Sequence, residues 1–468
     1  MKVGNVFLVI IAARYLGVEN FGQFSFIVSF STLFQTITDM GINFYSIREV
    51  ARNKKVAPEF LGHAITTKLF LSIVAVVILN LVIHFFDHSP QEIIGFRIAS
   101  IILVMDTYLQ QFYAVFRGHQ KMEYESFALL IETSLIVGLG ISVLLLGKSY
   151  LFLLGVYAFA KFVNLIFSGT LCNKKITPIH FLFSFQYNKN LVLKSLPFAL
   201  HILFGLVAFR LDVIFLRMLK GAYVVGLYRV TLSITFTVVL FAHMYQAAVY
   251  PVLSKLYMES IERLKRTIER SFSLLFFVGL LFAVIIYRYS DFIILLVFGE
   301  KYRASGAILK ILILMLPLKF VDQILGITLD SINRQKVRPY LGLALITINS
   351  IFCFIFITYF SAKGAAFAMV LTELASFVLY YYFVARYLFA VPIAKPIVKG
   401  ILAAAGAYYV MILAKSLNFF FVATIGFIVY IGILLFLKAD DNLGVRAIIL
   451  KSLKNISLAK FPKKGTTL

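Results

Sequence analysis

Ten ionisable side chains lie well inside long apolar stretches of this 468-residue chain. A charge at the centre of a membrane-spanning helix costs about 2.5 to 3.5 kcal/mol on insertion scales, so such groups face other charges or a water-filled cavity. Buried carboxylates bind protons or other cations, whereas lysine and arginine bind anionic oxygens. The sequence therefore predicts a polar interior inside an apolar protein. Its members are Asp39, Lys68, Asp106, Glu132, Lys161, Arg210, Asp212, Lys319, Asp322 and Glu373.

Arg210 is the strongest candidate for binding an anion. Asp212 is two residues away, more than half a helical turn, so the two cannot easily neutralise each other within one helix. A guanidinium fork binds paired phosphate oxygens better than the point charge of lysine does. Lys161 and Lys319 are the next candidates. Lys319 and Asp322 share one helix face, and an ion pair between them is the simpler expectation.

Six carboxylates are candidates for cavity acids or for coupling to a bound cation, because burial makes protonation near neutral pH feasible. The alternative, which stays open for each of them, is structural pairing with a lysine of a neighbouring helix. The candidates are Asp39, Asp106, Glu132, Asp212, Asp322 and Glu373.

Arg14 and Arg48 are weaker candidates for anion binding. Each lies beside the end of a predicted helix, Arg14 at the end of the first and Arg48 just past the second. Lysine and arginine at such places commonly extend to lipid headgroups or cap the C-terminus of a helix. Both alternatives stay open for these two residues.

The composition is that of an integral membrane protein, with 61% hydrophobic and 14% charged residues and a mean hydropathy of +0.93. The apolar runs are long and do not alternate, which predicts helices rather than the ~10-residue alternating strands of a barrel. We therefore expect an all-α polytopic protein with about fourteen spanning helices. Their expected bounds are 1–16, 20–46, 60–86, 93–116, 124–147, 150–171, 191–219, 224–254, 269–297, 305–330, 338–360, 363–387, 396–415 and 419–438.

The distribution of positive charge predicts the orientation. Most of the 45 lysines and arginines lie at the termini and in alternate gaps, such as IREVARNKK at 47–55. This bias puts both termini in the cytoplasm and the protein in the cell membrane. The net charge of +24 is thus explained by contact with membrane lipids, and nucleic acid is not expected as a partner. Cys172 and Cys353 lack the spacing of a zinc site, and no metal or cofactor is expected.

Two short patterns recur in the same order along the chain. A Gly-x₄-Gly turn at 17–22 returns at 221–226, an offset of 204 residues, and the Gln-Lys pair at 120–121 returns at 335–336, an offset of 215. Such turns also arise by chance in loops, but two landmarks at similar offsets favour a duplicated six-helix unit. Because six is even, the copies enter the membrane in the same direction, and the substrate path is expected at their interface.

These residues resemble a known family. The resemblance is to the polysaccharide exporters and flippases of the multidrug/oligosaccharidyl-lipid/polysaccharide exporter superfamily, and it runs over nearly the whole chain. Each motif alone is degenerate, whereas the ordered series is fairly specific. The motifs are ARYLGVENFGQFSF (13–26), DMG (39–41), LPFAL (196–200), RLDVIFLRML (210–219), VGLY (225–228), VFGEKY (297–302) and LTELASF (371–377).

The resemblance implies a V-shaped bundle of two six-helix lobes followed by two extra helices. It also implies a task, the turning of an undecaprenyl-pyrophosphate-linked glycan from the cytoplasmic to the outer leaflet by alternating access, with polymerase and chain-length proteins as further partners. The chain departs from the family in having few residues before ARYLG, and a shortened first helix is favoured over a signal peptide. The expected domains are 1–190, 191–390, 391–438 and a basic cytoplasmic tail at 439–468.

Two other functions remain as alternatives. A cation-coupled multidrug exporter would share the fold, but it would favour an acidic cavity for cationic cargo. A polytopic glycan polymerase or ligase would be an enzyme. The outer gaps are a few residues long, and the sequence has no nucleophile-base cluster, glycine-rich phosphate loop or metal motif. We therefore expect a transporter and not an enzyme.

Overall fold

The computed structural model describes residues 2–84, 89–414 and 418–439, and within them the chain forms fourteen α-helices. The predicted all-α fold is confirmed. By length and composition, eight helical segments of the described chain are long and apolar enough to cross a membrane. The helices are α1 (Lys2–Asp39), α2 (Ile42–Arg52), α3 (Ala57–Ile83), α4 (Pro90–Gly118), α5 (Met122–Leu145), α6 (Tyr150–Leu171), α7 (Phe185–Lys220), α8 (Ala222–Glu259), α9 (Ile261–Phe298), α10 (Ser305–Leu312), α11 (Leu316–Ser331), α12 (Arg338–Tyr387), α13 (Ala394–Leu413) and α14 (Phe419–Phe436).

Within the described residues, the predicted spans lie mainly in helix. The predicted breaks after residues 16 and 360 appear as non-helical backbone at Gly17 within α1 and at Ser361 within α12, and the breaks differ in two further places. The expected helix 20–46 ends at Asp39, because Gly41 has φ 76° and starts the short amphipathic α2. The expected helix 305–330 is divided by a 3₁₀ turn at Ile313–Met315, just before Pro317, which has no N–H to donate to a preceding turn. Apolar periodicity continues through both breaks, so it does not reveal them.

The two Gly-x₄-Gly turns have the same backbone conformation. Gly17 interrupts α1 with φ 76° and ψ 173°, and Gly221 separates α7 from α8 with φ 86° and ψ 176°. This region of backbone space is open essentially to glycine alone. The two copies of the turn in the sequence therefore have the same backbone conformation at their first glycine.

The second glycine of each turn packs against the other turn. A Cβ on Gly22 would lie 1.9 Å from the carbonyl oxygen of Ala222, and a Cβ on Gly226 would lie 2.0 Å from that of Val18. These distances are far inside van der Waals contact, so the approach requires glycine at both positions. The contact is reciprocal, which is the arrangement expected of two copies of one element.

The ends of α4 and α11 are also alike, and they correct the predicted register of the repeat. Gln120 and Asn333 have φ of 60° and 61°. In each case the N–H of the following residue donates to a carbonyl oxygen five residues earlier. Lys121 donates to Phe116 at 2.9 Å, and Arg334 donates to Leu329 at 2.8 Å. Equivalent positions here are thus 213 residues apart. The predicted pairing of the Gln-Lys dipeptides at 120–121 and 335–336 is wrong by two residues, because the backbone cap rather than the side-chain type marks the helix end.

The described chain divides into two compact units. The first contains residues 1–237, 291–312 and 339–372, and the second contains 238–290, 313–338 and the residues from 373 onward. In the first unit α4 is central and packs against α1, α2, α3, α5 and α6, while in the second α13 packs on α14. The predicted domain boundaries at 190 and 390 stay predictions, and the predicted basic tail lies outside the described residues beyond Ala439.

The glycine contact predicts a specific loss of stability. Gly22→Ala should destabilise the fold by about 1 to 3 kcal/mol, because the added methyl group must displace backbone. Cys172 and Cys353 are buried free thiols, so a thiol-reactive fluorogenic dye reports unfolding during heating. Gly138→Ala is the matched control, because nothing lies within 4 Å of the added Cβ in α5. Equal unfolding midpoints for the two variants would contradict the close contact between Gly22 and the opposite turn.

Candidate functional site

A cluster of one lysine and two carboxylates lies inside the first unit. Lys161 of α6 forms ion pairs with Asp106 of α4 at 2.5 Å and with Glu132 of α5 at 2.9 Å. Gln35 donates a hydrogen bond to Asp106, and Asn164 donates one to Glu132. Three helices thus contribute to one polar centre, which contains one more carboxylate than it has ammonium groups.

This centre borders a cavity of about 200 Å³ between α1, α4 and α6. Gln35, Asp106 and Lys161 line it together with Ser31, Thr32 and apolar side chains. The predicted polar interior is present at this place. The cavity leaves the ion pair accessible to a small ligand or to water.

A second cluster of one lysine and two carboxylates lies inside the second unit. Lys319 of α11 forms an ion pair with Glu373 of α12 at 3.0 Å. Asp322 accepts a hydrogen bond from Ser376 at 2.5 Å and is buried beside the pair. The structure therefore pairs Lys319 across to another helix, whereas the sequence suggested a pair with Asp322 on its own helix face.

The two ion pairs occupy equivalent positions in the repeat with their charges exchanged. Asp106 and Lys161 are 55 residues apart, and Lys319 and Glu373 are 54 residues apart. The offset from Asp106 to Lys319 is the 213 residues that the matching helix caps define. Asp106 of the first copy thus corresponds to Lys319 of the second. Its partner Lys161 corresponds to Glu373. The nearly equal spacing of these two oppositely charged pairs was a signal available in the sequence.

Lys68 is fully buried and held by oxygens of three other residues. Its Nζ lies 2.8 Å from Asp39 Oδ1, 2.6 Å from Asn43 Oδ1 and 3.4 Å from the carbonyl oxygen of Thr107. A buried ammonium group needs this degree of compensation. For Asp39 the structural-pairing alternative describes the observed contact.

Arg210 and Asp212 form hydrogen bonds with different residues. Asp212 accepts hydrogen bonds from the Tyr228 hydroxyl at 2.6 Å and from the Val213 N–H at 2.8 Å. Arg210 donates to Ser29 at 3.1 Å and lies within electrostatic range of a second arginine, the largely buried Arg229 of α8. Two guanidinium groups therefore share the neighbourhood of one carboxylate.

Three further arginines have contacts of their own within the first unit. Arg14 donates to the carbonyl oxygens of Val297, at 2.6 Å, and Leu296, at the C-terminus of α9, which is the helix-capping alternative. Arg48 pairs with the adjacent Glu49 at 3.0 Å. A substrate role for Arg14 and Arg48 stays a prediction. The third arginine, Arg217, forms a two-pronged pair with the buried Glu92 at 2.7 and 2.8 Å.

The structure brings together three sets of the residues singled out from the sequence. They are Asp106 with Glu132 and Lys161, Lys319 with Glu373 and Asp322, and Asp39 with Lys68. Sequence reasoning missed Arg229, Arg217 and Glu92, because it considered only charges far from the ends of predicted spans. The capping box formed by Ser89 and Glu92 at the start of α4 was the available signal for Glu92.

Among the described residues, no group of three or more histidine, cysteine, aspartate or glutamate side chains could hold a metal ion. The charged side chains are instead arranged as lysine–carboxylate pairs and as the arginine pair near Asp212. This donor set suits anionic oxygens and monovalent cations.

The family follows from comparison with known proteins. A family model described as "Polysaccharide biosynthesis protein" matches residues 3–257, more than half of the chain. The chain belongs to this family. A second model, MatE, matches residues 197–355. A protein of Staphylococcus aureus, "Capsular polysaccharide biosynthesis protein CapF", is 22% identical over 354 residues, in an alignment that covers 72% of this chain and 85% of that protein.

Two groups of solved transporters share the fold of this chain. "Lipid II flippase MurJ, inward closed conformation" has a TM-score of 0.77 at 15% identity, covering 94% of this chain and 97% of the other. An inward-facing multidrug transporter of the MATE family, in the MOP superfamily, has a TM-score of 0.70 at 16% identity, covering 84% and 96%. The resemblance found in the sequence motifs is confirmed, and the protein is a multi-pass membrane protein of this fold.

The Lys161 cluster predicts a large loss of stability on removal of its cation. Lys161→Met leaves the Asp106 and Glu132 carboxylates without their shared cation and should destabilise the protein by about 3 to 5 kcal/mol. Adding Glu132→Gln should recover part of the loss, as measured by the same thiol-dye unfolding assay. Lys310→Met, which breaks the more exposed pair with Asp291, is the control and should change stability by about 1 kcal/mol or less. Similar losses for Lys161→Met and Lys310→Met would refute the buried cluster.

Proposed function

We propose that this protein flips a polyprenyl-diphosphate-linked oligosaccharide from the cytoplasmic to the outer leaflet of the cell membrane, with both of its termini in the cytoplasm. Three comparisons support the proposal. The chain belongs to a family described as polysaccharide biosynthesis proteins, its Staphylococcus relative is named for capsular polysaccharide biosynthesis, and MurJ is named as a lipid II flippase. The clustering of lysine and arginine in alternate gaps supports the orientation.

The observation that favours this substrate is the arginine pair near Asp212. Arg210 and Arg229 both lie within electrostatic range of the Asp212 carboxylate, to which Tyr228 donates a hydrogen bond. A diphosphate bound here would interact with two guanidinium groups inside an apolar protein. Guanidinium groups bind phosphate oxygens in pairs, and the low surrounding polarity strengthens the interaction.

The two lysine clusters suit coupling to a cation. Each has two carboxylates for one ammonium group, so each favours the uptake of a proton or another monovalent cation. Because carboxylates already hold Lys161 and Lys319, these lysines are less available to a diphosphate than Arg210. Their role as substrate ligands stays a prediction, as does the coupling role of the acids.

A drug exporter of the same fold is the second candidate, and the match of residues 197–355 to the MatE model favours it. Cationic drugs would be repelled by the Arg210 and Arg229 pair, which favours the anionic lipid-linked glycan. We further propose that the protein is not an enzyme and works beside polysaccharide polymerase and chain-length proteins.

Transport can be tested in proteoliposomes that contain a fluorescent polyprenyl-diphosphate oligosaccharide. An outer-leaflet probe should gain access to the labelled lipid over time, and access no faster than in protein-free liposomes would overturn the proposed function. Arg210→Ala should slow flipping at least about tenfold, the loss expected for one charge-assisted bond.

Arg97→Ala is the matched control for this substitution. Arg97 is another arginine of a membrane helix, exposed on α4, and its removal should leave the flipping rate within about twofold. Arg210→Lys should restore part of the activity, since it keeps the charge and loses the fork. Equal rates for Arg210→Ala and Arg97→Ala would refute the role of Arg210.

A further inference from the structure

A polar cavity of about 210 Å³ lies at one end of the first unit, apart from the charged clusters described above. It is enclosed by α2, the 3₁₀ turn Lys54–Val56, the start of α3 and the start of α7. In the proposed orientation, the neighbouring lysines and arginines put this end on the cytoplasmic side. The lining residues are Tyr45, Glu49, Val56, Phe60, Tyr187, Asn190, Leu191 and Lys194.

The lining combines aromatic rings with acceptors and donors of hydrogen bonds. Tyr45, Phe60 and Tyr187 supply ring faces, while Glu49 and Asn190 supply a carboxylate and an amide. A sugar ring needs this combination, because its C–H face packs on aromatic rings and its neighbouring hydroxyls donate to carboxylate and amide oxygens. The volume is about that of one such ring. By contrast, the cavity between α5 and α6 is lined by apolar residues and one serine.

The aromatic side chains of the cavity are held in place by their neighbours. The ring of Tyr187 stacks on that of His63, with centroids 4.0 Å apart and an interplanar angle of 18°. His63 Nδ1 is in turn 2.8 Å from Asn188 Oδ1, and Asn188 donates to Thr66 at 3.2 Å. Tyr45 packs against Phe60 at 5.7 Å. A site ordered before binding loses less entropy when the ligand arrives.

The cavity lies at the end of a line of polar contacts along α1 and α2. The line begins at Gln35, beside Asp106, and continues through Asp39, which pairs with Lys68. The next member is Ser46 of α2, which accepts a hydrogen bond from Gln111 at 3.0 Å. Glu49 of the cavity lining lies three residues further along the same helix. Polar side chains therefore extend from the cavity wall toward the interior of the unit.

The charges around the cavity are of both signs. Glu49 lies in the lining with its carboxylate 3.0 Å from Arg48 and 3.7 Å from Arg52, and Lys194 lies in the lining as well. The hydroxyl groups of a sugar both donate and accept hydrogen bonds, so a neutral polyhydroxylated group can donate to the carboxylate and accept from the ammonium group.

We propose that the cavity lined by Tyr45, Glu49, Tyr187 and Asn190 binds a sugar residue of the glycan and selects the cargo on the cytoplasmic side. The inference rests on the proposed function, because it assigns the cavity to the sugar portion of the same substrate. Arg210 and Arg229 then hold the diphosphate, and the cavity distinguishes one glycan from another.

Saturation-transfer NMR on the full-length protein in detergent tests the proposal with methyl glycosides of glucose, galactose, mannose, N-acetylglucosamine, N-acetylgalactosamine and glucuronic acid. At least one glycoside should receive saturation, and Tyr187→Ala should weaken its binding about tenfold, as expected for the loss of a hydrogen bond and a ring contact. Glu49→Gln should weaken it as well, and Tyr187→Phe should retain part of it. Tyr359→Ala, which removes an exposed tyrosine of α12, is the control and should bind normally.

Three outcomes would overturn the sugar site. They are saturation of none of the glycosides, saturation that Tyr187→Ala leaves unchanged, and displacement of the glycoside by glycerol phosphate, which would assign the cavity to a lipid headgroup. Thiol-dye unfolding confirms that each variant is folded. The assay needs neither a diphosphate nor transport, so its failure is distinct from a failure of the flipping assay in proteoliposomes.

Discussion

The close approach of two glycine turns is the constraint on which the first unit depends. Gly17 and Gly221 adopt a conformation open essentially to glycine, and Gly22 and Gly226 admit the backbone of the opposite turn where a side chain would collide. Because one turn lies inside α1 and the other precedes α8, the contact fixes the part of α1 that follows Gly17 relative to the start of α8. The charged residues carried by these helices and by α7 are thereby held at defined positions. The same spacing of two glycines, met twice in the chain, thus has one structural reason.

Burial of charge imposes the second constraint, and the protein meets it by pairing. Lys68, Lys161 and Lys319 each face at least one carboxylate on another helix. A lysine left alone at such depth would cost several kcal/mol, so each pair ties two helices together. The exchange of charge between the Asp106–Lys161 and Lys319–Glu373 pairs keeps the attraction while changing which helix carries the acid. Duplication therefore preserved the interaction and not the residue types.

The buried arginines have different charged neighbours from the buried lysines. Arg210 and Arg229 both lie within electrostatic range of Asp212, whereas the Lys161 and Lys319 clusters each contain two carboxylates and one ammonium group. One region is thus suited to an anionic ligand, and the two clusters are suited to cations. The polar cavity near Tyr187 adds a region suited to neutral hydroxyl groups. A lipid-linked glycan has a diphosphate and sugars, and its movement in one direction requires a source of energy.

The sequence by itself determined the all-α membrane fold, the positions of its helices, the family and most of the buried charges. These follow from apolar run length, from the cost of charge in lipid and from ordered motifs, all of which are local properties of the chain. The tertiary structure determined which charged side chains lie next to each other. Lys319 pairs with Glu373 rather than with the nearby Asp322, and Arg229 lies within electrostatic range of Arg210. Equivalent helix caps of the two copies are 213 residues apart. Such choices depend on which helix faces pack together, and periodicity along one helix does not specify its neighbours.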